Sequence, residues 1–172
     1  KKIAAELNVQ AILTGQVVQR GDQMTLNLEL IDAKTENVLW GNKYERKASD
    51  LVSLQSEIAR DVSSKLKSKL SNAEAASVEK TYTANSEAYQ LYLQGRYHWN
   101  KRGTTEFEKA IVFFKQAIEK DPNFALAYSG LADSYSQFPT YGDFRPKDYF
   151  PQAKAAALKS LELDPNLAEA HT

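Results

Sequence analysis

Two hydrophobic periods divide the chain. From Val9 to about Glu45 apolar and polar residues tend to alternate, in the runs "VQAILTGQVVQR", "QMTLNLELID" and "NVLWGNKYE". In the second run Met24, Leu26, Leu28 and Leu30 alternate with Thr25, Asn27 and Glu29, the pattern of a half-buried antiparallel strand. Gly21-Asp22 separates the first two runs and reads as a two-residue hairpin turn of the primed type, where glycine tolerates positive φ. Such a turn sets the register. Gln19 faces Met24, Val17 faces Leu26, Gly15 faces Leu28 and Leu13 faces Leu30, so apolar mostly meets apolar on one face. The second turn, "DAKTEN", is longer and supplies Asp and Asn for turn hydrogen bonds.

After Ser49-Asp50 the period changes. Leu51, Leu54, Ile58, Val62, Leu66 and Leu70 recur at spacings of three and four, which predicts an amphipathic helix capped by Ser49 or Asp50. "KKIAAEL" predicts a short helix before the strands. Residues 1–72 are therefore expected to form a three-stranded antiparallel meander with flanking helices, followed by a polar connector over 73–85.

From residue 86 to 172 the helical period persists. Asn85-Ser86 opens a helix to about Asn100, and Thr105 with Glu108 reads as a capping box for a second. Its stripe is Phe107, Ala110, Ile111, Phe114 and Ile118. A third helix is expected from Phe124 to about Gln137 and a fourth ending at Leu163. Pro122, Pro139 and Pro165 follow the second, third and fourth, where the chain cannot continue its hydrogen-bond ladder. The tripeptide Asp-Pro-Asn occurs at Asp121 and again at Asp164, 43 residues later. The fold class expected is thus α+β: a small meander domain followed by an all-α array.

Composition narrows the function classes. The 172 residues carry 22 basic and 22 acidic side chains, so no basic excess argues for a nucleic-acid partner. The absence of cysteine excludes disulfides and thiolate metal sites. No apolar run approaches the ~20 residues that span a bilayer. Both ends read as if cut within helices, so the chain is expected to be a piece of a longer protein, and its localisation stays open between bacterial cytoplasm and periplasm.

The first part resembles the second half of the TolB amino-terminal-like domain, on the phrases "ELNVQAILTGQV", "LIDAKTENVLW" and "LQSEIARDV". Glu36 stands where that family usually has Gly. The resemblance implies a non-catalytic contact domain from bacterial multidomain signalling proteins, here lacking the family's opening strand and helix. A sheet edge left unpaired is a template for another chain, so a homodimer through that edge or through the terminal repeat is expected.

The second part resembles tetratricopeptide (TPR) repeats. Tyr128, Leu131, Ala132 and Tyr135 match the first-helix pattern, and Ala110, Phe114, Ala117 and Pro122 the second helix of the repeat before. Ala153, Ala157, Ser160 and Pro165 fill those places one repeat later. A 34-residue period plus nine inserted residues accounts for the spacing of 43, and "SQFPTYGDFRPKDYF" marks the insertion as an ordered loop. About three more residues are inserted near "NKRGT", and the first helix matches the pattern weakly at Gln94 and His98.

No catalytic set is legible. His98 and His171, the only histidines, lie on separate elements and give no metal spacing, and neither a phosphate loop nor a nucleophile elbow occurs. Glu106, Glu108 and Glu119 among Lys109, Lys115 and Lys120 read as a solvated face with local ion pairs. Arg20-Gly21-Asp22, a known adhesion tripeptide, is accounted for by the hairpin. Trp40 reads as a core or interdomain contact. Neither an enzyme nor a cofactor or metal is expected. The TPR resemblance implies instead a groove for a protein or peptide segment, with Tyr89, Tyr92, Arg96, Trp99 and Asn100 from one repeat and Leu126, Ser129, Asp133, Ser136 and Gln137 from the next. Tyr, Trp and Arg carry most interface energy, and Arg96 suits an acidic group. Tyr92 and Trp99 have a structural alternative, packing against the meander domain or the long loop. Two functions compete: an interaction scaffold, or a regulatory segment of a larger kinase, nucleotide cyclase or transcriptional regulator.

Overall fold

In the computed structural model, residues 6–66, 80–142 and 144–171 are described. The chain forms an α+β fold in two compact units, Lys1–Lys80 and Thr81–Thr172. The helix expected in "KKIAAEL" and the position of Leu70 lie mainly outside the described residues.

The first unit is a meander of β1 (Ala11–Arg20), β2 (Gln23–Asp32) and β3 (Val38–Lys47), in the order β1-β2-β3. The β1–β2 register is the one the turn dictates, with Leu13 opposite Leu30, Gly15 opposite Leu28 and Val17 opposite Leu26. Gly21 supplies the positive φ, +63°. A bulge falls between Leu30 and Ile31, where Trp40 and Val38 are the successive partners on β3. Helix α1 (Leu51–Leu66) lays Leu54 and Ile58 on Leu28 and Tyr44, with Leu26 and Trp40 at the margin. Polar bonds fix it there. The Tyr44 hydroxyl donates to Asp61 at 2.6 Å, and Arg46 holds both Glu57 oxygens at 3.1 and 2.8 Å. Burial, with the Asp61 carboxylate beside it, pushes the Tyr44 phenol up to about 12. Trp40 is half-buried in this cluster, as a core strand residue would be.

Ser49 and Asp50 do not cap α1. They lie in a 3-10 turn, Ala48–Asp50, that runs directly into it, and their side chains bond each other at 2.9 Å. A chain already turning when it enters the helix leaves no extended capping position.

Glu36 occupies the left-handed region, φ +62°. The turn is held by the Asp32 carboxylate, which accepts from the Lys34 and Thr35 amides at 2.9 and 2.8 Å. A non-glycine residue there carries roughly 1–2 kcal/mol of strain, partly offset because glycine loses more entropy on folding. Glu36→Gly is therefore expected to stabilise this unit by about 0.5–1 kcal/mol, read as a higher urea midpoint. An unchanged or lower midpoint would mean the turn carries no strain.

The second unit holds α2 (Ser86–Lys101), α3 (Thr104–Lys120), α4 (Ala125–Gln137) and α5 (Pro146–Leu163). Asn85 caps α2, accepting from the Glu87 and Ala88 amides, while its own amide group donates to Lys120. Thr83 bonds Asp121. The last connector residues therefore belong to the helical unit. The Thr105–Glu108 capping box is not formed. The helix opens two residues earlier, with Gly103 at the cap position, and the Thr104 hydroxyl donates to the Tyr141 carbonyl at 2.9 Å. That bond ties the inserted loop to α3.

The core runs along the helices in two clusters, one around Phe124 and Leu167, the other around Phe114, Leu131 and Tyr135. The two Asp-Pro-Asn turns are copies in three dimensions as well. Asp121 and Asp164 each accept from the residue two ahead, at 3.0 and 3.3 Å, and the residues that follow, Phe124 and Leu167, are both fully buried. Ser160 replaces Ala117 in the second copy and donates to the Ala125 carbonyl at 2.8 Å. The insertion after α4 is a 3-10 turn, Phe138–Thr140, then an aromatic stack: Phe138 lies 4.5 Å from Phe144 and 4.7 Å from Tyr149.

Candidate functional site

The expected groove residues separate into three groups. Tyr89, Tyr92, Leu126 and Ser129 pack inward. Tyr92 stands 5.8 Å from the Phe114 ring and 5.2 Å from Phe124, and Tyr89 lies against both Tyr92 and Phe124. Leu126 and Ser129 are buried. Burial pushes the Tyr92 phenol up to about 12 and raises that of Tyr89. Tyr92 is a packed residue, but against helices of its own unit rather than against the meander domain or the long loop.

Arg96, Trp99 and Asp133 are brought together. Arg96 pairs with Asp133 across α2 and α4 at 3.2 Å, and both side chains are about 30% exposed, at 32% and 28%. Burial raises the Asp133 carboxyl above its ordinary range, with Arg96 opposing it and Glu169 reinforcing it. The Arg96 guanidinium also lies 4.5 Å from the Trp99 ring centre. A second guanidinium, Arg102, lies 4.0 Å from the same ring. The buried Trp99 indole nitrogen has no hydrogen-bond partner among the described residues.

Asn100, Ser136 and Gln137 form the third group. Asn100 is exposed, and the Ser136 hydroxyl is turned back to the Asp133 carbonyl at 2.9 Å. Gln137 ends α4 half-buried. Beside them a cavity of about 200 Å³ is lined by Asp133, Ser136, Lys154, Ala157, Glu169 and their neighbours.

Sequence reasoning missed Arg102. The residue has φ +59° and ψ 162°, a region that is nearly glycine-only, and Gly103 follows with φ +97°. Its amide donates weakly to the Trp99 carbonyl at 3.3 Å. The legible signal was the extra length near "NKRGT". That length extends α2 to Lys101 and lets the chain leave it through two left-handed residues.

His98 sits at the rim. Its Nδ1 lies 2.7 Å from Glu106, and its ring stacks on Phe113 at 5.3 Å. Glu106 also takes Lys109 at 2.7 Å, and hydrogen bonds from Lys109 first and His98 second hold its carboxyl down at about 2. Glu106 is thus an inter-helix tie as well as part of a solvated face. The His171 ring faces the Pro165 carbonyl at 3.0 Å. Among the described residues no group of three His, Cys, Asp or Glu could hold a metal ion, and no helix is long and apolar enough to cross a membrane.

A larger cleft of about 790 Å³ opens between α3, the inserted loop and α5, walled by Val112, Lys115, Tyr135, Phe144, Arg145 and Tyr149 among others. Its aromatic walls already pack on one another, Phe144 edge-on to Tyr149, and Arg145 is bound to Asp148 at 2.9 Å. The Arg96–Trp99–Arg102 cluster, with strain and an unpartnered donor, is the better candidate.

No family model matches the chain. It is 25% identical, over 99% of its length, to putative adenylate cyclase 3 of Rhizobium meliloti, of which the match covers 29%. It is 27% identical, over 49% of its length, to the transcriptional regulator HilA of Salmonella typhimurium and of Salmonella typhi, covering 15% of each. The chain therefore spans less than a third of the curated relatives it matches.

Proposed function

We infer that this chain is a non-catalytic interaction segment of a larger signalling protein, and that its TPR-like helices bind a protein segment carrying an acidic group. The observation that carries this reading is the Trp99 indole flanked by the Arg96 and Arg102 guanidinium groups, 4.5 and 4.0 Å from its centre. Arg96 is committed to Asp133. Arg102 is exposed, makes no close ion pair among the described residues although the Asp133 carboxylate lies within its electrostatic reach, and is held in a backbone region that costs about 1–3 kcal/mol. An exposed guanidinium fixed on an aromatic ring favours bidentate recognition of a carboxylate. The matches to a putative adenylate cyclase and to a transcriptional regulator support the setting, a region attached to different output modules.

Arg102→Gly tests it. The substitution removes the guanidinium and relieves the backbone, so stability should hold or rise while affinity falls about tenfold. Linear peptides selected on the wild-type chain from a random library, then titrated calorimetrically against both proteins, give the readout. Equal affinity of the variant would refute the assignment of the site.

A further inference from the structure

We propose that β1 is a self-pairing edge: two copies of this chain join their sheets antiparallel, β1 to β1, about a two-fold axis through Gly15.

The two edges of the sheet differ in kind. β3 carries Lys43, Glu45, Arg46 and Lys47, charges of the sort that keep an edge from pairing. β1, "AILTGQVVQR", carries only Arg20, at its end, and has no proline. Among the described residues no strand pairs its outer side. Helix α1 packs on β2 and β3, and among the described residues no element covers the β1 flank of the same face. Leu28 and Leu30 are buried, whereas Leu13 and Val17 beside them are 45% and 59% exposed.

The occupant follows from the strand itself. Read outward from Gly15, β1 is a hydropathic palindrome: Thr14 and Gln16, then Leu13 and Val17, then Ile12 and Val18. An antiparallel pair centred on Gly15 sets Leu13 opposite Val17 of the second copy, Ile12 opposite Val18, and Thr14 opposite Gln16. Opposite residues share a face. Every odd-numbered residue then meets an odd-numbered one, so the face bearing Leu28 and Leu30 continues into the second copy. The Leu13 and Val17 side chains of both copies fill the trough between the two α1 helices. Val18, 40% exposed on the outer face, gains Ile12. Arg20 meets no like charge. A slip of one residue would set Leu13 opposite Val18 and turn the covered face of one copy onto the open face of the other. Gly15 suits the axis, since the Leu28 side chain already fills its missing Cβ position at 2.5 Å.

Light scattering and sedimentation on the intact chain, from micromolar to near-millimolar concentration, test the pairing. The expected species is a dimer, twice the 19.3 kDa chain mass. Val17→Lys, at an exposed position, should leave the circular dichroism unchanged. It sets a cation against Leu13 at two symmetric places, weakening the dimer by at least about tenfold. The double variant Leu13→Glu/Val17→Lys sets opposite charges across both places and should restore the dimer. A wild-type chain that stays monomeric, or a Val17→Lys dimer of unchanged affinity, would overturn the pairing. A double variant no better than Val17→Lys would overturn the register through Gly15.

Discussion

Gly130→Ala should destabilise the helical unit in the wild-type background and stabilise it when Phe114 is Leu. Phe114 is fully buried on α3 between α2 and α4. A Cβ built on Gly130 would lie 2.6 Å from the Phe114 ring, and one on Gly95 would lie 2.5 Å from it. The same three ring atoms meet both positions, so one aromatic side chain occupies two missing side-chain places. Overpacking a filled core costs about 1–3 kcal/mol, while alanine in place of a helical glycine contributes about 1 kcal/mol. The clash dominates with Phe114 present and disappears with a shorter side chain. Phe114→Ala alone should cost about 3–5 kcal/mol, since it empties a fully buried ring from the second core cluster. Urea denaturation of the four corners of the Gly130–Phe114 cycle reads the coupling. Additive effects would mean that the glycines serve some purpose other than admitting the ring.

Arg96→Met should cost about 1–2 kcal/mol at neutral pH and close to nothing in acid. The reason lies in Asp133. Burial already raises its carboxyl above the ordinary value of 3.8, and Arg96 is the chief influence pulling it back. Without that guanidinium the folded-state pKa rises further. The sign follows from proton linkage: a carboxyl with a raised folded pKa favours folding fully below its unfolded pKa. The advantage is lost as pH rises through the folded value, where the ionised form is poorly accommodated. The variant's deficit should therefore open as pH climbs from about 4 towards neutrality. Arg96→Met/Asp133→Asn should recover most of it. A deficit constant with pH would assign the loss to the packing of Arg96 on Trp99 instead. Because Arg96 has this structural role, Arg102 is the cleaner probe of partner binding.

The meander was legible because its determinants are local. A two-residue turn with Gly21 at positive φ fixes the β1–β2 register, and the period-two pattern of β2 fixes its buried face. Helix limits were legible where a cap or a proline marks them, as at Asn85, Asp121 and Asp164. They were not legible at Ser49 and Thr105, since a good capping residue is common and only the entering backbone decides whether it caps. The groove list followed helix faces, and helix spacing alone does not say how deep a face lies. Phe114 and Phe124 draw Tyr92 inward, and the approach of α2 to α4 brings Arg96 to Asp133 from 37 residues away. The left-handed exit at Arg102, and the placing of its guanidinium beside Arg96 on one indole, depend on where the next helix must start. The sequence by itself determined the elements and which surface each offers to a neighbour, because propensity, period and turn chemistry act within a few residues. Only the tertiary structure decided which of those surfaces stay open to a partner, because burial depends on what arrives from elsewhere in the chain.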